Sequence, residues 1–111
     1  MATIINSQVV NLSDTSTKPS IDISNADNIT VVIEGTFVAT WVLQASLDGT
    51  NWINFALHQN GNITATADIA TNTVASYLSK PCTGLKFFRP SLTAYTSGTV
   101  IFRINQTMLE K

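Results

Sequence analysis

The sequence predicts an all-β protein: a single antiparallel β-sandwich with jelly-roll-like connections, built from seven to eight short strands. Three observations carry this. Short runs of strand-forming residues recur at intervals of roughly 8–12 residues. Clusters of Gly, Asn, Ser and Thr separate them. No stretch repeats its apolar residues at the spacing of a helix face.

The first run, Thr3 to Leu12, alternates imperfectly and reads equally as a first core strand or as a contact arm over residues 1–12 lying on a neighbour. Ser13 to Ser20 is a loop by composition, leading to a short strand Ile21-Asp22-Ile23 and a turn at Ser24 to Asn28. Ile29-Thr30-Val31-Val32-Ile33-Glu34 is the clearest core strand, with Ile29, Val31 and Ile33 on one face. Gly35 to Ala39 then leads into a hairpin whose arms are Thr40 to Gln44 and Ile53 to Phe55. Its centre is Asp48-Gly49, a dipeptide suited to a tight turn because both positions must tolerate positive φ. The small residues from His58 to Thr73 are read mostly as loop. Val74 to Leu78 is a strand, and Lys80 to Gly84 a turn. In the run Leu85 to Leu92, Pro90 cannot donate to a ladder, so the strand should end there, bulge there or lie at an edge. Tyr95 to Gly98 is the last turn, Thr99 to Asn105 the last strand, and Thr107 to Lys111 a short tail.

At 111 residues the chain is one domain, 1–111, with roughly 6,000 Å² exposed when folded against about 17,000 Å² unfolded. Charged residues make up only 12%, about half the usual share. A surface of short uncharged side chains can meet another protein without desolvating many ions, so composition favours stable assembly. The formal net charge is −1, and the six Lys and Arg are scattered. No basic stripe is present to displace counterions from a phosphate backbone, which argues against nucleic acid as a partner. No apolar run approaches the length of a membrane span, about 20 residues. The lone Cys82 cannot form an internal disulfide, and the start lacks the pattern of a signal peptide, so synthesis in a cytoplasm is expected. Four Asn-x-Ser/Thr sequons are then products of an Asn- and Thr-rich composition.

Catalytic and metal-binding constellations are missing from the pattern. Asp22 and Glu34 on adjacent strands could form a hydrolytic pair, but an outward acid on a sheet face is the ordinary reading. His58 has no second histidine or spaced cysteines with which to hold zinc, and nothing in its spacing makes it the base for Cys82. No Gly-x-Ser-x-Gly elbow or Gly-rich phosphate loop occurs. The chain is expected to be no enzyme and to need no cofactor or metal.

Ser46-Leu47-Asp48-Gly49-Thr50-Asn51-Trp52 resembles the Ser-x-Asp-Gly-x-x-Trp hairpin of several sandwich folds, discoidin-like lectin domains among them. It is more loosely similar to the Asp-box of sialidases, differing by one residue of spacing. The resemblance implies a structural hairpin in which Ser46 and Asp48 satisfy turn amides, Gly49 supplies the turn and Trp52 packs over it. A sugar-stacking role for Trp41 or Trp52 would require an exposed ring. Together with Ile29 to Phe37 and Thr99 to Ile104, the same hairpin looks like the small β-sandwich decoration, cement or staple proteins on capsids of short-tailed bacteriophages. That resemblance implies a structural virion protein on the outer capsid surface, clamping neighbouring major-capsid subunits. Few charges and a net charge near zero weaken self-repulsion, so a homo-oligomer is expected too, a dimer in preference to a trimer. The expected contacts are Ile4, Ile5, Val9 and Val10, with an edge strand offering unpaired backbone groups. The alternative is a carbohydrate-binding module of a phage tail fibre or receptor-binding apparatus.

Overall fold

Alternation along Ile29 to Glu34 demands one dry face, and the computed structural model, which describes residues 2–59, 62–67, 69–71 and 75–109, gives it one: Ile29, Val31 and Ile33 are fully buried. The strands, in chain order, are β1 (Ala2–Leu12), β2 (Ile21–Asp22), β3 (Asn28–Glu34), β4 (Phe37–Ser46), β5 (Trp52–Asn54), β6 (Leu57–Gln59), β7 (Asn62–Ala67), β8 (Ile69–Thr71), β9 (Ala75–Pro81), β10 (Phe87–Gly98) and β11 (Val100–Leu109). They make two antiparallel sheets. One runs β1-β11-β3-β9-β6-β7 and the other β2-β10-β4-β5, with β8 also pairing with β4. Early strands pair with late ones, β3 with β11 and β4 with β10, the nested arrangement that a jelly-roll-like connection implies. Inward residues of both sheets fill one core, where Trp41, Phe88, Phe102 and Leu43 are the bulkiest fully enclosed side chains along with several Ile and Leu.

The chain passes between the sheets twice at one corner. After β3 it crosses through Gly35 and Thr36 into β4, and after β10 it returns through Gly98 and Thr99 into β11; Thr99 donates its N–H to the Thr36 carbonyl at 3.3 Å. Gly35 and Gly98 both have positive φ, and their Cα atoms lie directly against the carbonyls of Thr99 and Thr36. Close backbone approach is what requires glycine at both places.

Four readings of the sequence are revised. First, the segment from 58 to 73 is stranded where described, as parts of β6, β7 and β8. Thr-Ala repeats have little strand preference of their own; β9 lends β6 a ladder partner and β6 in turn lends one to β7. Residues 60, 61, 68 and 72–74, including Val74, lie outside the described set. Second, β9 runs on through Lys80 and Pro81, so the turn is confined to Cys82 to Gly84. Third, the expected tail is strand to Leu109, held by β1 in the register Thr107↔Ile4, Met108↔Thr3 and Leu109↔Ala2. The fourth is the turn expected at Tyr95 to Gly98, which is strand because β10 stays paired with β4 to Gly98↔Phe37. Of the two readings of the first run, β1 is a strand of the sheet: Val10 and Leu12 lie in the core, and pairing with β11 continues to Leu12↔Val100.

Pro90 settles on the edge reading. The strand does not end there, since β10 continues to Gly98. Phe55 donates to the Leu43 carbonyl at 2.9 Å, so the backbone groups of Leu43 point toward β5. Pro90, opposite Leu43, therefore sits in a non-hydrogen-bonded pair with its nitrogen turned outward. On that side β2 pairs only with Phe87 and Phe88 and has already stopped. No ladder bond is lost.

Candidate functional site

The loop between β4 and β5 is held by side chains. Ser46 pairs with Trp52 at the base of the hairpin, leaving five loop residues where Asp-Gly suggested a two-residue turn. The reason is polar satisfaction. Ser46, buried at 2% exposure, accepts from the N–H groups of Asp48 (3.2 Å) and Gly49 (2.8 Å), and its hydroxyl donates to Asp48 Oδ1 at 3.0 Å. Asp48 in turn accepts from the N–H of Thr50 and of Asn51, both at 2.8 Å, and from the Asn51 amide at 2.8 Å. A wider loop is stable because one carboxylate and one hydroxyl replace the missing ladder bonds. The side chain of Phe87 lies close under Gly49, whose φ is +82°.

These donors favour the charged carboxylate. Asp48 is held well below the usual carboxylate range, first by the Asn51 backbone N–H and then by that of Thr50. Asp14, through Thr17, and Asp22, through Ser24, are lowered in the same sense. A depressed folded-state pKa contributes stability that is complete above the unfolded value, about 3.9, and disappears as pH falls through the folded value. Unfolding free energy measured by urea titration should therefore decline as pH is lowered from about 4 to 2. Asp48→Asn should flatten that decline, and an unchanged slope would mean that Asp48 does not titrate with unfolding.

Beyond the loop, Gln44 bridges Arg89 (2.9 Å) and Asn54 (3.4 Å) across three strands, and the Arg89 guanidinium stacks 4.1 Å from the centre of the Trp52 ring. Trp52 is half-buried with this cation on its ring. Trp41 is 1% exposed, so it offers sugars no surface. Ser46, Asp48, Gly49 and Trp52 thus assemble into the hairpin as their spacing suggests, but around a larger loop. Beside it, Leu47, Ile53 and Leu85 line an open apolar groove of about 300 Å³, and Ile53 is 61% exposed.

Asp22 and Glu34 do not meet. They belong to different sheets; Asp22 accepts from Ser24, and Glu34 accepts from Arg103 on the neighbouring β11. Cys82 is buried with its thiol directed at the Ala26 carbonyl, 3.7 Å away, and burial first, then the Asp27 charge, pushes its pKa up to about 11. Such a thiol is a poor nucleophile. Among the described residues no three of His, Cys, Asp and Glu come together.

The four expected contact residues divide. Ile4 (57% exposed), Ile5 (38%) and Val9 (52%) project into solvent, whereas the exposed Met108 of β11, opposite Thr3, follows the parity of the buried Phe102, Ile104 and Gln106 and belongs to the other face of the sheet. Val10 is the exception: it faces inward and belongs to the core. The three exposed residues lie on β1, the outermost strand of its sheet. The sequence could not separate Val10 from the other three, since an imperfect alternation does not say which face is dry.

No family model matches the sequence, and no curated protein matches it. Among solved structures, the fold is similar to the crystal structure of the SPBc2 prophage-derived protein YomS, with a TM-score of 0.70 over 96% of this chain and 98% of that one, at 13% identity. At that identity the likeness concerns the fold, and it extends over nearly all of both chains.

Proposed function

We propose that this protein is a structural component of a bacteriophage virion, set on the outer capsid surface, where a self-paired unit clamps adjacent major-capsid subunits. The observation that carries this reading is the exposure of the apolar side chains Ile4, Ile5 and Val9 on an outermost strand, in a run from Met1 to Ser13 without a charged side chain. Exposed apolar side chains grouped at a sheet edge are the signature of an interaction surface. The phage setting draws support from the shared fold of a prophage-derived protein and from the resemblance of the hairpin and its flanking strands to decoration proteins.

Mechanically, a staple adds contact area that must be broken before a seam between capsid subunits opens. Contacts too weak to hold a free subunit become strong when several are engaged at once on the lattice. The glycan-binding alternative would rest on Trp52, whose ring already carries Arg89.

The test is occupancy. In purified parent particles the chain should be present in numbers comparable with the major capsid protein. Ile4→Lys combined with Ile5→Lys, both solvent-facing changes, should reduce occupancy at least about tenfold, the loss of roughly 1.4 kcal/mol or more of binding, with an unchanged melting curve. A few copies per particle, or full occupancy by the double variant, would sink the reading.

A further inference from the structure

The outer edge of β1 is formed as a template for its own copy, and the register can be deduced. Asp27 donates its N–H to the Thr107 carbonyl and Thr99 its N–H to the Thr36 carbonyl, so the odd-numbered residues of β11 turn their backbone groups toward β3. In an antiparallel ladder, the residues opposite them on β1 turn theirs the other way. Asn105, Arg103 and Ile101 face Ser7, Val9 and Asn11. The N–H and C=O groups of Ser7, Val9 and Asn11 therefore point outward along an edge to which no strand is paired among the described residues.

These three positions are symmetric about Val9. We propose that two copies of this chain join antiparallel through β1 across a twofold axis at Val9, so that Val9 meets its counterpart while Ser7 of each copy meets Asn11 of the other. Each of the three pairs exchanges two backbone hydrogen bonds, and the six-stranded sheets of the two copies become one continuous sheet. The surface is isologous, as twofold symmetry requires.

Several features favour a second copy over a foreign strand. No charge lies between Met1 and Ser13, so self-juxtaposition places no like charges opposite one another, and no charge pattern selects a complementary partner. At the twofold centre Val9, 52% exposed, packs against the same side chain, a β-branched pair suited to a pleated surface. Sheet edges are commonly protected by brevity or charge; β2 and β5, at the edges of the other sheet, have two and three residues. β1 has eleven and neither protection. Its bulge between Ile4 and Asn6 limits the paired segment to the residues after it, leaving Ile4 and Ile5 outside the self-contact. This inference deepens the self-pairing in the proposed function by naming its surface, and it is tested in solution without a capsid, so failure of either is distinguishable from failure of the other.

The experiment uses sedimentation and amide hydrogen exchange on the purified full-length chain. The expected result is twice the chain mass, with the Ser7, Val9 and Asn11 amides becoming protected as concentration rises. Val9→Lys sets two cations face to face at the axis and should shift the dimer to monomer at the same concentration, as should Val9→Asp. Mixing the two variants should restore a dimer containing one chain of each, which a merely structural defect at Val9 would not allow. A monomer at every concentration overturns the proposal. So does a dimer that survives Val9→Lys, or one in which these three amides exchange freely, since either would place the contact elsewhere.

Discussion

Gly98→Ala is expected to destabilise the fold by about 3 kcal/mol or more, lowering Tm by roughly 10 °C or more in thermal denaturation. Two effects combine. Gly98 has φ of +86°, where an L side chain is strained, and a Cβ there would lie 2.2 Å from the Thr36 carbonyl oxygen and 2.7 Å from the Cα of Phe37. Both obstacles are backbone, where the crossover enters β4, which pairs with Gly98 through Phe37, and moving them would open the corner where the chain changes sheets. Gly84→Ala separates the contributions: its φ of +96° is equally unusual, but no atom lies within 4 Å of the added carbon. That variant should lose only the conformational part, about 1–2 kcal/mol. Equal losses in the two would show that the close approach at Gly98 is not the cause.

Phe88→Ala should cost about 3–5 kcal/mol, a large part of the total stability of a domain this size. Phe88 is fully buried in β10, opposite Ala45 of β4 and Ile21 of β2, so its removal leaves a void that three strands border. It also meets Phe55 edge-on, ring centres 6.4 Å apart and planes at 73°. Phe55 lies where the chain leaves β5 for β6 and passes from one sheet to the other. A double-mutant cycle of Phe88→Ala with Phe55→Ala, read by urea unfolding, should give a coupling of about 1 kcal/mol. A loss below about 1.5 kcal/mol for Phe88→Ala would mean that the neighbouring strands close the void without penalty.

The core was legible wherever a strand alternates cleanly. Ile29, Val31 and Ile33 of β3, and Val100, Phe102 and Ile104 of β11, are buried as their spacing requires, because a period of two in apolar residues admits only one dry face. Legibility failed where strand formation depends on a distant partner. Thr64 to Ala67 and Thr107 to Leu109 have weak or truncated patterns, and each is strand because β6 or β1 runs alongside it. The four-residue contact set shows the same limit in miniature: Ile4, Ile5 and Val9 are exposed while Val10 is core, a distinction set by the bulge between Ile4 and Asn6 and by the position of β1 over the opposite sheet.

Residue chemistry by itself therefore determined the fold class, the alternating core strands, the hairpin around Asp48 and the lack of charge in the first thirteen residues, since these depend on side-chain type and short spacings. Tertiary structure alone decided that β1 is outermost, which of its backbone groups face outward, and that Pro90 sits without loss at an edge. Those are outcomes of which strand lies beside which, and hydrogen-bond partners separated by scores of residues leave no local trace in the chain that makes them.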